Sequence, residues 1–355
     1  MRRRDVLAAA AGGVGLLAGC SGGAETDPEA GTATGTTGQS GDRPEGVYVQ
    51  PFREQMAMQG TADAGDLRVA LMYTTPHRFW TVTGSELSKT PKDGSIHGMA
   101  VVWDPETGRV VPETGLSLEI TRDGDLVSQE VIYPMLSQRM GYHYGGNFEL
   151  DGDGTYTAQV SVGAVPDGVA LTGAYADRFS EPASAELPLE FTETEREKVG
   201  SEPLDAAGEP GAIRPMEMGS VPQATAPART ALPGEVFGAP NSDDALLATG
   251  AVTGDAAARF NADSYLYVSA RSRYNGLILP AMGLAATIRR DGETRFNDAL
   301  TRTLDPELGY HYGAPVDSLA AGDEISLSVS VPPQVARHEG YERAFIEMPD
   351  VTVTV

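Results

Sequence analysis

The sequence predicts an all-β protein built from two tandem β-sandwiches joined by a long linker. Three observations support this class. Apolar residues alternate with polar ones, as at Leu116, Leu118 and Ile120, which is typical of a half-buried strand. Turn signals such as Asp123-Gly124 recur at short intervals and indicate hairpins. After the first 20 residues, no segment carries a helical apolar stripe of ten or more residues.

The first residues resemble an export signal. The stretch MRRRDVLAAAAGGVGLLAGC has a basic start, a short apolar run and small residues before the lone cysteine, Cys20. We therefore predict a twin-arginine lipoprotein signal peptide over residues 1–19 and lipidation of Cys20. The protein is then expected to be exported and held at the outer face of the cytoplasmic membrane by a lipid in the bilayer. A chain with one cysteine offers no internal disulfide.

The net charge is strongly negative. The chain has 50 acidic and 26 basic residues and a formal charge of −24, with lysine only at positions 89, 92 and 198. Such a surface repels nucleic acid, so we expect no nucleic-acid partner. An acidic, lysine-poor exterior is typical of proteins in very high salt, which predicts a halophilic source. Metal scavenging is a second, compatible explanation.

Two segments lack helical or strand periodicity. Residues 20–45, rich in Gly, Thr and Ser, are predicted to be a disordered tether, and residues 193–244 a Pro/Gly/Ala-rich linker. They delimit a first domain over 46–192 and a second over 245–355, both of ordinary domain length.

The two domains are repeats of one another. GLSLEITRDG at 115–124 aligns without gaps with GLAATIRRDG at 283–292, and the pentapeptide GYHYG at 141–145 recurs at 309–313. Both pairs have the same offset, because 283 − 115 and 311 − 143 each equal 168. A constant offset across a hairpin and a second motif indicates a tandem duplication.

The offset separates a ligand-rich repeat from a ligand-poor one. The first repeat carries imidazole or thioether side chains at His97, Met99, Met135, Met140 and His143. The equivalent residues of the second repeat are Tyr265, Tyr267, Thr303, Leu308 and His311. Imidazole suits Cu, Fe and Zn, and thioether favours Cu(I). We therefore predict a Cu or Fe site in the first repeat and a degenerate second repeat.

The spacing of these residues suggests how they could meet. His97 and Met99 are two apart on a predicted strand and share a face, while His143 is predicted to lie in a loop between glycines. Met135 and Met140 both remain candidates for the thioether ligand. His77 is interpreted as a structural or loop residue rather than a ligand. The Met-x-Met pairs at 56–58 and 216–218 have two interpretations. They are either flexible segments that bind copper or ordinary packing and linker residues.

The first repeat resembles a family of periplasmic iron-uptake proteins that includes the treponemal lactoferrin-binding lipoprotein and the periplasmic partners of ferrous-iron permeases. The motifs that carry the resemblance are Gly46–Pro51, Ser95–His97, Tyr133–Met135, Tyr142–Asn147 and Gly154–Tyr156. It implies an immunoglobulin-like sandwich, binding of Cu(II) and divalent metals through histidine and methionine, homodimers, and assistance to a membrane iron permease.

The chain departs from the family pattern at three places. His97-Gly98-Met99 stands where the family has His-Leu-Glu, so the carboxylate associated with a second, harder metal is missing. Tyr133-Pro134-Met135 stands where the family has Met-Pro-Met, and Tyr142 replaces a proline before the histidine.

The resemblance also implies a role for His338, because family members carry a histidine after the corresponding strand that completes the metal site. The equivalent part of the first repeat, residues 164–178, has no histidine. We hypothesise that the two repeats pack as an intramolecular pseudo-dimer, which brings His338 to the site of His97, Met135 and His143. The alternative is a solvated loop histidine beside Arg337 and Glu339.

These observations favour a lipid-anchored metal-binding protein that passes Fe or Cu to a membrane iron permease. The alternative is a surface adhesion or scaffold module in which GYHYG is a structural turn. A copper redox enzyme is a third class, but the sequence has no Gly-x-Ser-x-Gly, His-Glu-x-x-His or phosphate-loop motif, so we expect no enzymatic activity. Histidine ligation predicts that metal affinity falls as the pH drops through the range near 6.5.

Overall fold

The structure, a computed structural model, describes residues 45–355. The predicted signal peptide 1–19, the lipidation site Cys20 and all of the tether except residue 45 lie outside the described residues. In the described part, no helix is long and apolar enough to cross a membrane.

The described chain consists almost entirely of strands. The first part contains β1 (Phe52–Glu54), β2 (Ala57–Ala64), β3 (Leu67–Thr74), β4 (Trp80–Thr83), β5 (Glu86–Lys89), β6 (Ile96–Asp104), β7 (Arg109–Val110), β8 (Leu116–Arg122), β9 (Asp125–Val131), β10 (Tyr133–Ser137), β11 (Gly141–Phe148), β12 (Gly154–Val162), β13 (Val169–Leu171) and β14 (Ala183–Phe191). The second part contains β15 (Ser201–Pro203), β16 (Glu235–Gly238), β17 (Asn241–Ser242), β18 (Ala245–Thr253), β19 (Ser264–Ser272), β20 (Gly283–Arg290), β21 (Glu293–Ala299), β22 (Thr301–Asp305), β23 (Gly309–Pro315), β24 (Glu324–Val331), β25 (Ala336–Arg337) and β26 (Val351–Thr354). The helical segments are α1 (Glu193–Arg196) and the short 3-10 turns Gly173–Tyr175, Arg229–Ala231, Gly254–Ala256 and Ala258–Phe260.

Each repeat places a large sheet beside a four-stranded one. In the first repeat the large sheet has the order β2-β3-β6-β11-β10-β25-β4-β5, with β7 paired to β6, and the small sheet has the order β14-β12-β8-β9. Burial alternates along β8 and β12, so one face of the small sheet is apolar and packs in the core. The prediction of an all-β fold built from sandwiches is confirmed.

The second repeat has a similar arrangement of strands but, within the described residues, no counterpart of β4 and β5. Its large sheet has the order β13-β22-β23-β19-β18-β16, with β17 paired to β18, and its small sheet has the order β21-β20-β24-β26. Strand for strand, β10, β11 and β6 of the first repeat correspond to β22, β23 and β19 of the second. The duplication seen in the sequence therefore extends to the topology.

The two repeats exchange short strands. From the second repeat, β25 pairs in parallel with β10 of the first, and from the first repeat, β13 pairs in parallel with β22 of the second. The exchange is reciprocal, because Ala336 pairs with Met135 and Ala170 pairs with Thr303, the residue that corresponds to Met135 in the second repeat. Both repeats belong to one compact unit. This exchange places the residue after β25, His338, within the large sheet of the first repeat.

Residues 193–244 differ from the unstructured linker that their composition predicts. The Thr192 hydroxyl accepts a hydrogen bond from the backbone N–H of Glu195 and caps α1. β15 pairs with β1, and β16 pairs with β18, so part of the backbone is hydrogen-bonded to the sandwiches. Val221, Ala224 and Leu232 are buried. Pairing with existing sheet edges stabilises a segment that has no apolar periodicity of its own.

Candidate metal centre

The candidate site lies on the face of the large sheet of the first repeat where β6, β10 and β11 meet. In the register of these strands, Met135 lies opposite His143, and Asn147 lies opposite His97. Residues directly opposite one another point to the same side of a sheet. His143 was expected in a loop but lies within β11, and its orientation is fixed by the strand pleat rather than by a flexible turn.

His338 joins this face from the second repeat. Its backbone N–H donates to the carbonyl of Leu136 at 3.1 Å, which continues the parallel pairing of β25 beyond Arg337. Its Nε2 lies 3.2 Å from Sδ of Met135, and its ring centre lies 5.1 Å from that of His143 and 5.5 Å from that of His97. The structure thus brings together residues 97, 135, 143 and 338.

A further histidine, His77, belongs to the same cluster. Its Nε2 lies 3.0 Å from Nδ1 of His338, and its ring centre lies 4.0 Å from that of His97. One ligand atom from each of these three histidines can be chosen so that all lie within 4.8 Å of one another. The sequence interpretation as a structural residue missed this proximity, because His77 precedes β4 in an irregular segment and has no repeat partner or strand pattern that marks it.

Hydrogen bonds assign the protons of the rings. The side-chain amide of Asn147 donates to two backbone carbonyls, so its Oδ1 accepts from Nδ1–H of His97 at 2.8 Å. Nδ1–H of His143 donates to the carbonyl of Gly141 at 3.0 Å. Each ring therefore keeps an unprotonated Nε2. These two Nε2 atoms are buried and have no hydrogen-bond partner among the described residues.

The position of the proton on the His338 ring follows from its hydrogen bond with His77. Nδ1–H of His77 donates to the carbonyl of Thr75 at 3.2 Å, which leaves Nε2 of His77 as the acceptor for Nδ1–H of His338. Nε2 of His338 is then unprotonated and faces the sulfur of Met135. Neither atom carries a proton to share, so this close approach joins two electron-pair donors and is not a hydrogen bond.

Gly145 leaves the space between two of these donors open. A Cβ built at this position would lie 2.8 Å from Nε2 of His97 and 3.0 Å from Sδ of Met135. The last glycine of the GYHYG motif therefore keeps a side chain out of the region that the donor atoms face.

The second repeat fills the equivalent space with its own side chains. Tyr265, which replaces His97, places its hydroxyl 3.2 Å from Nε2 of His311 and stacks on Phe260 with ring centres 3.8 Å apart. A Cβ at Gly313 would lie 2.2 Å from that hydroxyl oxygen. Thr172 of the first repeat occupies the place equivalent to His338, because its backbone N–H donates to the carbonyl of Leu304 as that of His338 donates to the carbonyl of Leu136. The single imidazole of this site is thus already hydrogen-bonded within the protein.

The other residues of the GYHYG motif have a structural role in both repeats. The hydroxyls of Tyr142 and Tyr144 accept backbone N–H groups of the segment before β8, and those of Tyr310 and Tyr312 do the same before β20. Gly141 has a φ of +68°, a conformation that glycine adopts at no steric cost. The motif is a strand start that also orients an imidazole, which explains its retention in the degenerate repeat.

The two remaining methionine candidates lie beside the donor cluster. Met99 and Met140 line a cleft of about 220 Å³ whose walls also include His143 and His338. Met72, interpreted from the sequence as a core residue, is fully buried in the apolar core.

Burial keeps the histidines of this region neutral. It lowers the pKa of His77 and of His143 to about 4, and it lowers the pKa values of His97 and His338 well below the ordinary 6.5. Burial also lowers the pKa of His311 in the second repeat to about 4. Protonation of the metal-free site therefore requires a lower pH than the sequence prediction of a transition near 6.5 assumes.

These shifts predict that the metal-free protein loses stability as the pH falls from about 6.5 toward 4. In that window the unfolded state binds protons on five histidines that the folded state leaves neutral. Burial raises the pKa of Glu54 to about 7. Protonation of this carboxylate stabilises the folded state as the pH falls toward its ordinary pKa, but this gain from one group is smaller than the loss from five histidines. Urea midpoints at pH 7 and pH 5 in the same salt measure the difference. Equal midpoints would contradict these protonation states.

Comparisons with known proteins identify a family model and several similar solved structures. A family model described as a domain of unknown function, DUF7350, matches residues 230–354, which cover the second repeat. No curated protein sequence matches the chain. Among solved structures, FetP of uropathogenic Escherichia coli is similar at 17% identity, covering 39% of this chain and 97% of FetP, with a TM-score of 0.31. A copper-bound variant of Campylobacter jejuni P19 is similar at 16% identity over 39% of this chain and 98% of P19, also with a TM-score of 0.31.

Proposed function

We propose that the protein binds one copper ion between its two repeats, through Nε2 of His97, His143 and His338 and Sδ of Met135. The observation that carries this proposal is that the lone pairs of the three Nε2 atoms lie among the buried donors. The hydrogen bonds of all three rings use Nδ1, and this leaves each Nε2 unprotonated among the buried donors. Two of these nitrogens are buried without a hydrogen-bond partner in residues 45–355, which costs free energy in a protein that binds nothing there.

The donor types favour copper over iron. Imidazole suits several transition metals, but a thioether ligand favours Cu(I), and none of the four proposed ligand atoms is a carboxylate oxygen. The bound ion would be held by three neutral nitrogens and one neutral sulfur, a set compatible with both oxidation states of copper. The hydrogen bonds at the Nδ1 atoms fix the ring orientations, as outer partners of metal-bound histidines usually do.

The location of the site gives a reason for the duplication. Three of the donors come from the first repeat and the fourth, His338, comes from the second. In a family of homodimers, one such histidine would have to come from a partner chain. We propose that this protein is an intramolecular pseudo-dimer that needs no second chain for its copper site.

We extend the proposal to the cell surface as an expectation. A lipid on Cys20 would hold the protein at the outer face of the cytoplasmic membrane, where it could transfer its metal to a membrane iron permease. The resemblance to iron-uptake proteins supports this role. Uptake of radioactive iron and of copper by cells with and without the protein would test it. If the two kinds of cell take up each metal equally, the role is contradicted.

The scaffold alternative explains the tyrosines and glycines of GYHYG but not the unpartnered nitrogens. In a purely structural module, the first repeat would be expected to resemble the second, where the Tyr265 hydroxyl satisfies Nε2 of His311.

Calorimetric titration of tag-free, metal-free protein with Cu(II) tests the proposed function. We expect one tight equivalent per chain, and an unchanged affinity in the His311→Ala variant, because that histidine lies in the degenerate repeat. Fe(II) is expected to bind more weakly under anaerobic conditions. Absence of a stoichiometric Cu(II) equivalent, or its loss in His311→Ala, would contradict the proposal.

A further inference from the structure

The cleft beside the donor cluster is rich in methionine side chains. Three of the chain's 11 methionines line it, namely Met56, Met99 and Met140, and they come from three separated parts of the first repeat. Met99 and Met140 are almost fully buried, and Met56 is half-buried. His143 and His338 form part of the same walls. The cleft therefore brings thioether and imidazole donors together, and Met56 is the most exposed of these five side chains.

Thioethers select among metal ions. Their sulfur is neutral and polarizable, and it binds soft ions such as Cu(I) rather than hard ions such as Mg²⁺ or Mn²⁺. In this cleft the register explains how Met99 joins the wall: it lies opposite Gly145 in the β6–β11 pairing and shares a sheet face with the proposed ligands.

The charges around the cleft also favour a monovalent ion over a divalent one. Its walls include three basic residues, Arg78, Lys92 and Arg139, and two acidic ones, Glu54 and Glu339. In a chain with a net charge of −24, this is a local excess of positive charge. A divalent cation is repelled twice as strongly by such a rim as a monovalent cation, which favours a soft monovalent ion at the sulfur atoms.

We propose that Met56, Met99 and Met140 form a second, outer site that takes a soft monovalent cation, Cu(I) in the cell. The site deepens the proposed function, since it gives the copper site a point of first capture, but its ligands are different residues. No electron transfer is involved: the ion is bound through thioether sulfur without a change in oxidation state.

Ag(I) is a suitable probe, because it is monovalent, soft and stable in air. The titration is made in nitrate salt, since silver chloride is insoluble. With the inner site first loaded with Cu(II), the full exported chain is expected to bind one further equivalent of Ag(I). The Met56→Leu/Met99→Leu/Met140→Leu variant keeps the apolar volume and loses the sulfur atoms, so its Ag(I) affinity should fall at least about tenfold with Cu(II) affinity unchanged.

Two measurements keep the test decisive. In a His97→Ala background the inner site is damaged, so Ag(I) binding that still depends on the three methionines supports the outer site even if the proposed copper site is wrong. In the wild-type chain, NMR of ¹³C-labelled methionine methyl groups should show Ag(I)-induced shifts at Met56, Met99 and Met140 and none at Met282 or Met348 of the second repeat. Unchanged Ag(I) affinity in the triple variant, or no shift at the three cleft methionines, would overturn the outer site.

Discussion

Replacing His338 with alanine is expected to weaken Cu(II) binding by at least about a hundredfold, although the residue lies 195 to 241 positions from the other proposed ligands. Its Nε2 faces Sδ of Met135 at 3.2 Å, and its removal leaves a bound ion with three of four ligands. Loss of an outer hydrogen-bond partner alone typically costs 10- to 100-fold in metal affinity, so loss of a ligand should cost more. Competition titration against a chelator of known affinity measures the change.

Two controls separate ligation from folding. The His338→Gln variant keeps a polar side chain of similar length without an imidazole, and it should lose Cu(II) affinity while its urea midpoint stays near that of the wild type. The His77→Ala variant removes the acceptor for Nδ1–H of His338 but no proposed ligand, so its loss should be smaller than that of His338→Ala. Wild-type Cu(II) affinity in His338→Ala would show that the second repeat does not contribute to the site.

The Gly145→Ala variant is expected to lose Cu(II) binding almost completely while it retains the fold. The added methyl group would lie 2.8 Å from Nε2 of His97 and 3.0 Å from Sδ of Met135, so it separates two donors and occupies the space between them. The backbone at Gly145 is part of the regular strand β11, so alanine causes no backbone strain there. Overpacking should also reduce the free energy of unfolding by about 1–3 kcal/mol.

The neighbouring glycine gives a matched control. A Cβ at Gly146 would meet the side chain of Ile132 at 3.3 Å, on the other face of the strand and away from the donors. Gly146→Ala should therefore change stability modestly and Cu(II) affinity by less than about threefold. Equal loss of Cu(II) affinity in the two variants would indicate a general distortion of β11 rather than obstruction of a metal position.

Much of the fold was predictable because its signals are local or repeated. Period-two burial along β8 and β12 was visible as apolar alternation, and the constant offset of 168 predicted two bodies of one topology. The ordered course of residues 193–244 was not predictable from composition. Its strands form by pairing with edges that other segments provide, as β15 does with β1.

The candidate site was predictable in part. Comparison of the repeats singled out His97, Met99, Met135 and Met140, which the second repeat replaces, and the repeated GYHYG motif drew attention to His143, which it retains as His311. The resemblance to the iron-uptake family suggested His338. His77 had no such signal, and the sequence could not decide between Met135 and Met140, because the side chains meet through the exchange of β25 between repeats. The direction of each imidazole proton depends on carbonyl and amide partners that only the three-dimensional arrangement supplies.

Anomalous diffraction at the copper absorption edge, from crystals of the exported chain grown with one equivalent of Cu(II), tests the central claim most directly. The account predicts a single strong peak per chain within about 2.5 Å of Nε2 of His97, His143 and His338, with the sulfur of Met135 on the same ion. A peak bound to the second repeat, or a copper ion that makes no contact with His338, would contradict it.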